Sequence, residues 1–156
     1  MKKILFSSLF PILFSGCMGY VPGQQSYWDE QVREMCERDG GVRIYEKLRI
    51  TKADIELLGR VGGKIGVPAK DLANPKAPAY QELKITRIRD GNPRVSRTDL
   101  IIVRRADQTV VAQATIYARS GGDFPSPAQT SGYRCPDAKT IMSDLQELFI
   151  VEGDSK

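Results

Sequence analysis

Apolar positions along the chain follow two periods. From Ser26 to Asp39 they recur at Trp28, Val32, Met35 and Cys36, the spacing of one helix face. Ser26 offers an N-cap oxygen, Asp29 and Glu30 fall in the turn after it, and Gly40-Gly41 ends the run. This predicts an N-terminal helix with Cys36 pointing inward. From Val42 the period drops to two. Val42, Ile44, Leu48 and Ile50 share one face and Arg43, Tyr45, Lys47 and Arg49 the other, which predicts one half-buried strand, with Glu46 the exception on its apolar side. Thr51 is placed to cap a short helix over residues 53–58. Residues 59–78 hold four glycines and three prolines and predict a long loop with one short strand at most.

Three longer strands are expected over residues 80–89, 94–105 and 109–119. The turns Asp90-Gly91-Asn92-Pro93 and Ala106-Asp107-Gln108 separate them, and such short connections imply an antiparallel meander. On the third strand Val110, Ala112, Ala114, Ile116 and Ala118 share a face, and its alanines leave room for a helix. Residues 120–127 read as a loop. Pro136 suits a first helical position and Asp137 the first turn, while Ile141, Met142, Leu145, Leu148 and Phe149 repeat at helical spacing. The fold class expected is α+β: an antiparallel sheet of about four strands packed by an N-terminal and a C-terminal helix.

The first residues change the picture. Lys2 and Lys3 precede an apolar run, Ile4 to Phe14, that ends in Ser15-Gly16-Cys17. The run is interrupted by Pro11 and is shorter than the roughly 20 residues a membrane span needs. Basic residues, an apolar stretch and small residues, in that order, predict a secretory signal over 1–16. A tether is expected over 17–25, one domain over 26–150 and a frayed tail over 151–156. Of the 156 residues, Lys2 and Lys3 would leave with the signal, so the formal charge of +4 falls to +2. So mild an excess gives no reason to expect a nucleic-acid partner. Export also bears on the cysteines: with Cys17 set aside, Cys36 and Cys135 form an even pair in an oxidising compartment and are expected to be a disulfide.

The chain contains no histidine, which removes Ser-His-Asp and Cys-His catalysis. No close cysteine pair exists, so no metal site is expected, and no cofactor motif is found. Gly63-Lys64 lacks the earlier glycine and the following hydroxyl of a phosphate loop. Glu46, Glu82 and Asp99 are the acids a glycosidase could pair, but they are scattered, and solvated or ion-paired carboxylates are the plainer reading. Arginines are more concentrated. Arg87, Arg89, Arg94, Arg97, Arg104, Arg105 and Arg119 all fall on or beside the three long strands. Among them Arg87, Arg89, Arg104 and Arg105 are the candidates for holding an anionic envelope component through forked hydrogen bonds. A solvated face that protects strand edges is the weightier alternative, because nearby acids blunt the field.

Phe14-Ser15-Gly16-Cys17 resembles a bacterial lipobox, with Phe14 where leucine is usual. The segments MCERDGGVRIYE and RSGGDFPSPAQTSGYRCPD resemble those of small uncharacterised lipoproteins of Gram-negative bacteria. The resemblance implies lipid on Cys17 and a membrane held through that N-terminal lipid. With Met18 in place of a retaining aspartate, it also implies an outer-membrane position facing the periplasm. It brings no activity with it. The leading expectation is a non-enzymatic binding or assembly accessory of the envelope, whose partner is an envelope protein or an anionic component. The alternatives are an inhibitor or immunity-type lipoprotein that blocks another envelope protein, and a carboxylate-dependent hydrolase of cell-wall or lipid material. An exposed apolar patch would favour a protein partner, and converging acids in a pocket would favour the hydrolase.

Overall fold

The structure, a computed structural model, describes residues 24–122 and 131–153. Helix α1 (Gln24–Asp39) leads to strands β1 (Gly41–Ile44) and β2 (Leu48–Ile50), then to helix α2 (Lys52–Leu58). A small hairpin follows, β3 (Arg60–Val61) and β4 (Lys64–Ile65), and after it the long strands β5 (Ala79–Arg89), β6 (Arg94–Arg104) and β7 (Val110–Ser120). The order closes with β8 (Gly132–Cys135), α3 (Ala138–Asp144), a 3-10 turn (Leu145–Leu148) and β9 (Phe149–Val151). The class is α+β with N- and C-terminal helices. Its main antiparallel sheet has five strands, in the order β1-β7-β6-β5 with β8 also on β7. β1 pairs with Ala112–Thr115 and β8 with Tyr117–Ser120, so two short strands fill one edge of β7 end to end.

Each face of this sheet has its own core. On one, Ala112, Ala114 and Ile102 meet Ile141, Leu145 and Leu148, together with Leu48, Ile50 and Leu58. On the other, α1 brings Val32 and Cys36 against Val95 and Tyr117, with Trp28, Met35 and Tyr133 at the margin. The small side chains on β7 leave the depth that the C-terminal segment fills.

Several elements differ from the sequence reading. The expected strand from Val42 to Ile50 is two strands in two sheets. The N–H groups of Tyr45 and Glu46 both donate to the Val111 carbonyl, at 2.9 and 3.2 Å, and the chain leaves the main sheet there. Leu48–Ile50 then pairs in parallel with Phe149–Val151, so Phe149 is strand rather than helix. Short apolar runs fit either element, and here a waiting strand decides. Asp137 is the N-cap of α3, accepting from the N–H groups of Lys139 and Thr140, and Pro136 precedes it. Residues 59–78 contain the β3–β4 hairpin, and α1 begins at Gln24, ahead of Ser26. The glycines after α1 are used as expected, Gly41 with φ +102° and Gly40 with close backbone contact: a Cβ there would meet the Cys36 carbonyl at 2.6 Å. The Thr51 cap holds too, and Asp54 completes a capping box.

Candidate functional site

Beneath α1 the polar groups satisfy one another. Cys36 and Cys135 are disulfide-bonded with their Cα atoms 5.8 Å apart, which ties α1 to β8. Arg119, 2% exposed, donates to Asp29 on α1, to the Gly121 carbonyl and to Ser131 Oγ. Alongside, Arg97 donates through Nε to both oxygens of Asp99 at 3.0 Å and through Nη1 to Asp39 at 2.8 Å. The Tyr117 hydroxyl donates to Asp39, and Thr115 and Gln113 donate to Asp99. Burial pushes the Asp99 carboxyl up, but the hydrogen bonds from Arg97, Thr115 and Gln113 outweigh it and hold the group below its ordinary value. Burial, then the bond to Asp39, raises the Tyr117 phenol.

The acids a glycosidase could pair do not meet. Glu46 is bound by Arg104, Glu82 by Lys70 and Asp99 by Arg97, each in a separate ion pair. Asp99, held below the ordinary range, has no proton to give near neutrality and makes a poor general acid. A cleft of about 770 Å³ between α2, the β3–β4 hairpin and the C-terminal segment has Glu56 as the one acid of its lining, beside Lys52 and Arg60.

The four candidate arginines form two groups. β5 and β6 are antiparallel, with Arg104 opposite Ala79 and Arg89 opposite Val95, so the groups stand about 30 Å apart at the rise of a strand. At one end Arg89 donates to the Pro93 carbonyl and lies over the Trp28 ring, and exposed Arg87 is 3.6 Å from Asp90. At the other end Arg104 is forked onto Glu46 and Asp107. Neighbouring Arg105 donates through Nε to the Ala77 carbonyl and stacks over Tyr80, 5.1 Å from the ring centre. Its Nη2 is buried with no hydrogen-bond partner among the described residues, a state that costs about 1–3 kcal/mol. Arg104 and Arg105 share a cleft of about 350 Å³ with Arg49 and Lys76, two cations the sequence reading left out because they come from other segments. Cys17 lies outside the described residues.

The feature least explained by internal packing is the outer half of β5. Every residue from Leu83 to Ile88 is exposed, on both faces. Leu83 and Ile85 sit opposite Leu100 and Thr98, on the face whose inner part is the apolar core, and are 60% and 61% exposed. The apolar face thus runs past the end of its cover. β5 is also an edge strand. Gln81 turns its N–H and carbonyl away from β6, to Pro68 and Lys70. By the two-residue period of a strand, the backbone groups of Leu83, Ile85 and Arg87 turn outward as well, and no described residue pairs with them. Lys84, between Leu83 and Ile85 on the other face of the strand, makes no ion pair among the described residues, and Arg87, next along the apolar face, lies 3.6 Å from Asp90. The sequence predicts a strand over 80–89, but which of its residues are covered is set by the tertiary fold.

Among the described residues no helix is long and apolar enough to cross a membrane. No protein family, curated protein or solved structure matches the chain.

Proposed function

We propose that this protein is a lipid-anchored envelope lipoprotein that acts as a binding or assembly accessory and takes an extended segment of a partner protein onto the outer half of β5. The supporting observation is the exposed pair Leu83 and Ile85 on a strand edge whose outward backbone groups pair with no described residue. Such an edge adds a strand through main-chain hydrogen bonds and selects it through alternate side chains. The complementary segment is apolar at the alternate positions that face Leu83 and Ile85 and acidic where it meets Lys84 on the opposite face and Arg87 beyond Ile85. The anchor rests on the lipobox-like run ending at Cys17, which would hold this edge close to the membrane.

The test places a photo-crosslinking residue at position 83 of the full chain in intact envelopes. The expected product is an adduct with another polypeptide, mapped to an extended apolar-acidic segment. Ile85→Pro should lower its yield several-fold, because proline removes an outward N–H and spares the ladder to β6. An adduct of twice the chain mass would replace the partner with a second copy. No adduct, or one indifferent to Ile85→Pro, would overturn the reading.

A further inference from the structure

The cleft between β2, the loop before β5 and the end of β6 has a composition that packing does not require. Its wall carries Arg49, Lys76, Arg104 and Arg105. Two carboxylates reach this group, Glu46 and Asp107, and both are spent on Arg104. Four cations against two acids leave the cleft at a charge of +2. Arg104 is the fixed member, since Nε, Nη1 and Nη2 all carry hydrogen bonds to those acids. Arg49 and Lys76 are exposed and make no ion pair among the described residues. Arg105 is held by the Ala77 carbonyl and the Tyr80 ring while its Nη2 lacks an acceptor among the described residues. The apolar residues Leu48, Ala77 and Pro78 complete the wall and keep the site from being a flat, fully solvated charge patch.

We infer that this cleft is a binding site for a phosphate-type dianion, held by Arg49, Lys76 and Arg105. A tetrahedral dianion matches the net charge of the wall. Its oxygens bridge the two exposed cations, Arg49 and Lys76, and accept from the part of the Arg105 guanidinium that lines the cleft. Arg104, already neutralised, shapes the site rather than binding. The ligand is either a free phosphate ester or the phosphate of a lipid headgroup. This inference is independent of the β5 edge, which lies at the opposite end of the strand.

The full mature chain in neutral detergent is titrated calorimetrically with inorganic phosphate, glycerol phosphate and a short-chain phosphatidic acid, with acetate as a monoanion control. Phosphate and its esters should bind at least tenfold more tightly than acetate. Equal affinity for all the phosphate compounds identifies a free ester, and a preference for phosphatidic acid identifies a headgroup. Arg49→Gln with Lys76→Gln should weaken binding at least tenfold without changing the melting temperature. Arg105→Lys, which keeps the charge and loses the fork, should weaken it several-fold. Arg87→Gln should change nothing here. Failure of phosphate to bind, or binding that survives the Arg49/Lys76 double variant, would overturn the inference while leaving the crosslinking result at β5 untouched.

Discussion

β7 and β5 are strands of equal length in one antiparallel sheet, with only β6 between them. β7 is enclosed: Val111, Ala112, Ala114, Thr115, Tyr117 and Arg119 are all buried. Its apolar side meets the C-terminal segment, and its polar side is saturated by α1, Asp39 and Asp99. β5 is buried at Ala79 and Tyr80, and from Leu83 to Ile88 every residue is exposed. Both strands carry aliphatic residues at alternate positions, so composition does not separate them; cover does. Apolar side chains on β7 contribute to stability by leaving water, whereas Leu83 and Ile85 contribute little until another chain covers them. The charges divide likewise. Arg119 is buried and matched to Asp29, while Lys84 remains available.

The largest effect expected from probing this contrast lies under α1. Asp29→Ala removes the acid that Arg119 faces and leaves a buried cation short of its partner. Breaking such a pair costs about 3 kcal/mol or more, and the melting temperature should fall by on the order of 10 °C. Asp29→Ala combined with Arg119→Met should recover part of the loss. A fall within about 0.5 kcal/mol, the range of ordinary surface changes, would show that Arg119 is solvated after all.

A smaller effect should come from acid. The Asp99 carboxyl is held below its ordinary value, as are the exposed Asp107 and Asp137. A depressed folded-state value means that the stabilisation is fully present above the unfolded value, about 3.9. It is lost as the pH falls through the lower, folded value. Stability should therefore show no loss from these groups between about pH 7 and 5 and should decline below about pH 4. Asp99→Asn should be less stable at neutral pH and flatter in acid. A decline that begins above pH 5 would mean that other groups dominate.

Much of this was legible in the chain. The helical spacing of Trp28, Val32, Met35 and Cys36, the Gly40-Gly41 stop and the turns around 90–93 and 106–108 are local signals, and the elements follow them. The disulfide was expected from the even pair left once Cys17 is set aside, and Cys36 and Cys135 are bonded. What the chain did not show is long-range. Leu48–Ile50 leaves the main sheet because Phe149–Val151 offers it a partner, and β8 forms because β7 has an open half-edge. The candidate arginines split because β5 and β6 run antiparallel, which sends Arg104 and Arg105 to one end and Arg87 and Arg89 to the other. Arg49 and Lys76 join the first group only through the tertiary fold.

The smallest stability effect, and the sharpest separation of the two strands, is expected at Leu83 and Ile85. Threonine keeps strand propensity while removing most of the aliphatic surface. In a covered strand this would be a core truncation; on β5 the side chains are about three-fifths exposed already. Leu83→Thr and Ile85→Thr should each change stability by no more than about 0.5 kcal/mol in chemical denaturation, the range of surface substitutions. The double variant Leu83→Thr with Ile85→Thr, with the photo-crosslinking residue moved to position 87, should lose most of the adduct. Stability kept and partner lost together mean that the apolar character of this edge serves association. A loss of about 2 kcal/mol or more per site would place the residues in the core and remove the basis for assigning them to a partner.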